Sequence, residues 1–280
     1  MPTLSDHPSS NIVRLLNIGE SGTGKTGALA SLVKAGYSLY VLDFDNGLDI
    51  LANLLTPAEQ ARVTYEELRD DIAVVNGVPK LKSATAWKNA GLALETWNAS
   101  AFGPSDVIVL DTLSTASQAA FNFCLRLNPN NLQAVYGSMA DTVLAFVDML
   151  TAAPMNCNVI VNTHVRFLSG GADETIMRGL PNAKGQQIPK DIGKFFNTCV
   201  LTRTQGAGPA AKRMISTKPQ GFIEVKTSNP LKVKDSYPLE TGLADLFADI
   251  LGHGPSKPAS RSPANEATPP THVANEKETT

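Results

Sequence analysis

Eight consecutive residues near the amino end carry the clearest chemical signal: Gly19, Glu20, Ser21, Gly22, Thr23, Gly24, Lys25 and Thr26. Glycines at this spacing let backbone N–H groups turn inward and approach an anion with no side chain in the way. A lysine directly after the last glycine can reach the β and γ phosphates of a nucleoside triphosphate, and the hydroxyl beside it can ligate Mg²⁺. The run fits the phosphate-loop pattern G-x-x-x-x-G-K-[ST] in full. With glycine near ~7% of residues, a chance match in a chain of this length is on the order of one in a hundred. The setting adds weight. Residues 12–18 form an apolar run that reads as a strand, and residues 27–35 read as a helix whose positive end faces the same anion.

A phosphate loop needs a second carboxylate to hold the magnesium shell. Val107-Ile108-Val109-Leu110-Asp111 is an apolar strand ending in one, at the end of a central strand where such a group overlies the phosphate crevice. Taken alone, an apolar run ending in Asp is more often structural; behind a complete phosphate loop the metal role is favoured.

The elements that must position these residues follow from periodicity. Residues 38–44, 106–110 and 158–162 read as further strands, and 137–150 shows helical spacing through Met139, Val143, Phe146, Val147 and Leu150. Continuous apolar strands alternating with helices predict an α/β fold with a mostly parallel central sheet and helices on both faces. The stretch 57–101 reads as polar and helix-rich, with little chemistry. Residues 166–190, rich in Gly, Pro and polar groups, read as a long functional loop. Residues 198–226 suggest a small antiparallel extension, and 242–251 a last short helix. The expected organisation is a flexible segment 1–11, one ATPase domain over 12–252, and a disordered Pro/Ser/Thr/Ala tail 253–280.

Several segments resemble the RecA-type recombinases in chain order. Leu42-Asp43-Phe44-Asp45 matches the place where that family carries its catalytic carboxylate, which implies that Asp45 polarises the attacking water. Without the resemblance, Asp43, Asp45 and Asp49 would read as turn acids. Asp111-Thr112-Leu113-Ser114 follows the third strand as Asp-Ser does in the family. Tyr136-Gly137-Ser138-Met139, leading into a helix, resembles the first DNA-binding loop and its exit. Asn162, Thr163 and His164 resemble the polar sensor of the fourth strand, and Lys194-Phe195-Phe196 the closing of the second DNA-binding loop. The similarity covers roughly residues 12–235 and implies a RecA-like P-loop core. Within it the chain is most similar to small phage-encoded RecA-like ATPases linked to single-strand annealing and recombination. Two departures stand out: Asp45 is an aspartate where glutamate is usual, and Ala52 stands where the family stacks an aromatic on adenine.

Charge is unevenly spread. The formal net charge is −2, yet residues 164–234 hold twelve Lys and Arg against four acids, Asp173, Glu174, Asp191 and Glu224. Such a segment suits a polyanion. Arg166, Phe167, Arg178 and Lys184 are the DNA-contact candidates, the phenyl ring for stacking and the cations for phosphates. By resemblance, Lys226, Lys232 and Lys234 lie where lysines reach a neighbouring subunit's γ-phosphate; edge-strand lysines are an equal alternative.

Three cysteines, Cys124, Cys157 and Cys199, make no disulfide framework or metal spacing, and His7, His253 and His272 form no metal cluster. No run is apolar enough to span a bilayer. The expectation is a cytoplasmic protein, in host cytoplasm if phage-encoded, using ATP and Mg²⁺. Its expected partner is single-stranded DNA; a single-strand DNA-binding protein and copies of itself are further candidates, and a membrane is not. The alternative function is an NTP-driven switch or motor acting on proteins, as in phage assembly or loading.

Overall fold

A computed structural model describes residues 11–170, 175–219 and 221–252. Of the segments expected to be loose, 1–11 and 253–280, all but Asn11 lie outside them. The amino half comprises β1 (Arg14–Ile18), α1 (Lys25–Ala35), β2 (Ser38–Asp43), α2 (Asp49–Leu54), α3 (Pro57–Gln60), β3 (Val63–Glu67), the antiparallel pair β4 (Asp71–Val75) and β5 (Val78–Ser83), α4 (Ala86–Thr96), β6 (Asp106–Asp111) and α5 (Leu113–Leu127). Then come α6 (Leu132–Thr151), β7 (Asn158–Thr163), the antiparallel pair β8 (Val165–Gly170) and β9 (Thr175–Pro181), and α7 (Gln187–Asp191). The chain continues through β10 (Thr198–Gln205), β11 (Lys212–Ser216), β12 (Lys226–Thr227), β13 (Ser236–Pro238) and α8 (Leu239–Leu251).

The main sheet runs β13-β11-β10-β1-β7-β6-β2-β3. From β10 to β3 every pairing is parallel, while β11 and β13 extend it antiparallel and β12 pairs with the start of β10. Its strands bury both faces, as the apolar runs require. Leu16, Ile18, Leu42, Ile108, Leu110 and Val161 pack toward α4, α5 and α6. Leu15, Leu39, Val41, Val107 and Val109 pack toward α1 and α8. On that second face α8 buries Leu243, Leu246, Phe247 and Ile250, with the Phe247 ring edge-on to Tyr37 at 5.6 Å. Each such side chain is worth roughly 1.5–3 kcal/mol of burial. The architecture is the α/β P-loop fold with a small antiparallel extension that the sequence implied.

Three expectations differ from what folds. Residues 166–190 are not a long loop: β8 and β9 form an antiparallel pair before α7. The pair escaped a sequence reading because it stands on the surface, where Arg166, Phe167 and Leu168 are exposed and no apolar alternation is needed. Residues 57–101 are not mainly helical: β3 forms an edge of the main sheet, and β4–β5 projects with Ile72 and Val74 each 71% exposed. Finally, Tyr136 and Gly137 do not leave a loop. They lie inside α6, which begins earlier, where Asn131 caps it by accepting from Ala134 N.

Candidate functional site at the carboxyl ends of the central strands

Parallel register sets four polar side chains in a row at the carboxyl edge of the sheet. Asp43 is level with Asp111, Asp111 with Asn162, and Asn162 with Asn17. All four are buried. Such a row survives in an apolar sheet only when its members satisfy one another. Here Asn162 Nδ2 donates to Asp111 Oδ1 at 3.2 Å, Asn17 Nδ2 donates to Asn162 Oδ1 at 2.9 Å, and Thr202 Oγ1 donates to Asn17 Oδ1 at 2.5 Å. Asp43 Oδ1 accepts from the backbone N–H of Asn46 at 2.8 Å, closing the turn that presents Asp45.

The phosphate loop joins β1 to α1 above this row. Gly22 and Gly24 take left-handed φ values of 76° and 99°, which cost glycine nothing. Gly19 has backbone on its open side: a Cβ would strike the carbonyl of Thr202. The Lys25 ammonium donates to the carbonyls of Gly19 and Glu20, both at 2.9 Å, and lies 3.4 Å from His164 Nδ1. Burial lowers its pKa, against the pull of Asp111 and Asp45. Glu20 and Ser21 face solvent at the tip, and Thr23 Oγ1 folds back to the Glu20 carbonyl at 2.8 Å. The first N–H groups of α1 have no intrahelical acceptor, which leaves them free to bind an anion at the loop.

Thr26 Oγ1 donates to Asp111 Oδ2 at 2.7 Å, so the two expected metal ligands already share a site. Asp111 is 2% exposed, and burial pushes its carboxyl up to about 6 despite the hydrogen bonds from Thr26 and Asn162. An oxygen pair with a strained buried charge fits a divalent cation, which would relieve the desolvated carboxylate.

Asp45 reaches the same edge from the end of β2. It accepts from Thr112 Oγ1 at 3.1 and 3.2 Å and from Thr115 Oγ1, and its Oδ2 lies 3.6 Å from His164 Nε2. Burial works to raise its pKa, but the bonds from His164, Thr115 and Thr112 outweigh it and the carboxyl ends below its usual value. It therefore stays ionised as a proton acceptor. The His164 ring stands between Lys25 and Asp45. Thr163 does not face this space: its Oγ1 donates to the carbonyl of Asn182 at 3.0 Å.

Sequence reasoning missed the supporting residues. Thr112 and Thr115 are three apart at the start of α5, a spacing that puts both on one helix face. Ser114 receives a bond from His164 N at 3.2 Å and donates to the Asn182 carbonyl at 2.9 Å. Asn182 N donates in turn to the His164 carbonyl at 2.7 Å. Nothing local in the sequence marks Asn182, because its partners are 18 or more residues away.

Arg166, Phe167, Arg178 and Lys184 lie beyond that link. Three adjoining hollows of about 500, 230 and 400 Å³ run from α6 past α7 to β12. Arg166 and Lys184 line the first, Arg166 and Lys190 the second, and Arg178, Lys190, Lys194 and Lys226 the third. Phe167 is 42% exposed on β8, and Tyr136 of α6 borders the first hollow. Of the three lysines expected to act on a neighbour, Lys226 sits in this groove. It pairs with Cys199 near the start of β10, the end away from the phosphate loop. Lys234 lies over the Tyr237 ring and 3.9 Å from Asp249, while Lys232 is exposed beside a fully exposed Leu231.

Among the described residues no helix is long and apolar enough to cross a membrane. No curated protein matches the sequence. Among solved structures, the KaiC-like protein PH0186 from the hyperthermophilic archaeon Pyrococcus horikoshii OT3 superposes with a TM-score of 0.45 at 13% identity, covering 81% of this chain and 84% of that one. The family model of the AAA domain matches residues 12–200, the span that holds the phosphate loop, Asp45, Asp111 and β7. The chain belongs to the AAA domain family and is a P-loop ATPase.

Proposed function

We propose that the chain is a Mg²⁺-dependent ATPase whose hydrolysis is coupled to single-stranded DNA held in the groove between α6, α7 and β9, in the service of annealing or recombination in phage DNA metabolism. Lys25 and the amides of the loop bind the triphosphate. Thr26 and Asp111 hold the magnesium ion, which when bound neutralises charge on the transferred phosphoryl group. Asp45, fixed by Thr112 and Thr115, accepts a proton from the attacking water. His164 touches both Lys25 and Asp45, which suits a γ-phosphate sensor.

The observation that carries the DNA reading is the groove. Six cations, Arg166, Lys184, Lys190, Lys194, Arg178 and Lys226, line connected hollows in which Glu224 is the single acid among the described residues. Its near end is bonded to the nucleotide site: Asn182 holds Thr163, Ser114 and His164, and Lys184 N donates to Ser117 Oγ at 2.8 Å. A strand in the groove and ATP in the loop therefore bias the same joint, and such coupling is reciprocal.

The test is fluorescence anisotropy with a labelled single strand at low salt, with and without a non-hydrolysable ATP analogue, beside ATPase assays with and without DNA. Expected are binding that the analogue tightens, a steep loss with salt, and stimulated hydrolysis. Absence of binding in both nucleotide states would overturn the reading. The second reading, a motor acting on a protein, would then stand. It is favoured by the β4–β5 pair, whose register sets exposed Ile72 opposite Leu81 and Val74 opposite Pro79 on one apolar face.

A further inference from the structure

The outer side of the phosphate loop is covered by a cation that the loop pattern does not contain. Arg213 lies on β11, in the antiparallel extension, paired with Thr204 of β10. A Cβ built on Gly24 would lie 3.4 Å from Arg213 Cδ and 2.5 Å from Leu239 Cδ2. Gly24 is left-handed and without a side chain, so the stem of Arg213 and the tip of Leu239 close directly on the loop backbone one residue before Lys25. The guanidinium is exposed and forms no ion pair among the described residues.

Three facts make that placement more than packing. Lys25 reaches the loop from inside and is buried, and burial favours its neutral form. A guanidinium keeps its charge at any working pH and offers a planar fork that suits phosphate oxygens. And the loop is held from outside at two points, with the Thr202 carbonyl of β10 against Gly19, and Arg213 of β11 with Leu239 of α8 against Gly24. Arg213 is thus carried on a strand paired along its length with β10, which itself touches the loop.

We infer that Arg213 is a nucleotide-binding residue acting in the same subunit, its guanidinium meeting the phosphate chain over the rim of the loop at Gly24, opposite Lys25. The inference rests on the phosphate-loop site and is independent of DNA. Because the rim contact is with the loop and not with His164 or Asp45 at the γ-phosphate end, ADP and ATP should feel it equally.

Titration calorimetry with ADP and with a non-hydrolysable ATP analogue tests this on the full chain. Arg213→Met keeps the stem over Gly24 and removes the charge. It should weaken both ligands by about tenfold, the value of one charged hydrogen bond, with an unchanged melting temperature. Arg213→Lys should recover most of the loss. Wild-type affinity in Arg213→Met overturns the inference, and so does a loss confined to the ATP analogue or one accompanied by a lower melting temperature. A wild-type chain that binds neither ligand would instead remove the phosphate-loop site itself.

Discussion

The phosphate end of the sheet and the basic groove are built from opposite materials. At the phosphate end, Asp111, Asn162, Asn17 and Lys25 are all buried and each has named partners inside the fold. Strand register fixes the first three and the first turn of α1 carries Lys25, and little can move without breaking a bond in a place water cannot repair. In the groove, Arg166, Lys190 and Lys194 stand on a surface strand and a short helical segment, with their charge in or near water. Cations so placed would bind a polyanion through a sum of several screened contacts. Single substitutions should therefore be all-or-none in the first region and graded in the second.

The largest effects should fall on turnover. Lys25→Ala removes the one positive charge inside the loop, and hydrolysis should drop by about a thousandfold or more while the circular dichroism spectrum stays native. Asp45→Asn should do the same to turnover yet leave the affinity for an ATP analogue within about twofold, because Asp45 contacts Thr112, Thr115 and His164 and not the loop. Equal losses of binding and turnover in Asp45→Asn would erase the distinction between the binding and water-positioning roles.

Next in size is an effect with two signs. The Asp111 carboxyl stands at about 6 in the fold against an ordinary 3.8. Between those values the folded chain keeps a proton that the unfolded chain has released, so stability falls as pH rises through that window. Asp111→Asn removes the burden. Free of nucleotide and metal, the variant should be more stable at pH 8, on the order of 1–3 kcal/mol, with little difference at pH 4. The same change should weaken magnesium-dependent nucleotide binding. Thermal melts at the two pH values and calorimetry with and without magnesium read the two signs; a variant less stable at pH 8 would break the argument.

These residues also show what a sequence can and cannot reveal. The meeting of Lys25, Thr26 and Asp111 at one end of the sheet was legible because the motifs are written in contiguous segments, and the placing of Asp45 beside them because a family resemblance marks the end of its strand. The sheet was legible for the same reason: β6 and β7 are buried at every position and read as apolar runs. Asn17 and Thr202 were not legible, since their role exists only when strands distant in the chain lie side by side. Nor was the β8–β9 pair, where exposure removes the alternation that marks a half-buried strand. The count of cations in 164–234 was correct as a number, but it could not say that Lys190, Lys194 and Lys226 share the groove while Lys234 sits by Asp249 and Arg213 at the phosphate loop.

In the groove, replacing Arg166, Arg178 and Lys184 together by Ala should lower single-strand affinity by about ten- to a hundredfold at low salt. It should also flatten the slope of log affinity against log salt by about one and a half to two units, ~0.7 for each phosphate that is no longer neutralised. ATP binding should be unchanged. A uniform fall in affinity with the slope intact would mean that the cations shape the groove and do not touch phosphate.

The smallest effect separates two arginines within that triple. Arg178 Nη2 donates to Glu224 Oε2 at 3.0 Å, with the two side chains 49% and 77% exposed, whereas Arg166 has no such partner among the described residues. An exposed pair of this kind contributes under about 1 kcal/mol to stability. It also means that a phosphate approaching Arg178 must compete with a carboxylate already in place. Arg166→Ala should then take nearly the whole share of one phosphate from the salt slope, about 0.7, and Arg178→Ala a small fraction of it. Glu224→Gln should move the other way and tighten binding by about two- to threefold, as it frees the guanidinium and removes the one acid among the described residues that line the groove. Binding isotherms at four salt concentrations would show it. If Arg178→Ala and Arg166→Ala flatten the slope equally, the Glu224 pair does not hold Arg178 back, and the groove's affinity is set by the number of its cations alone.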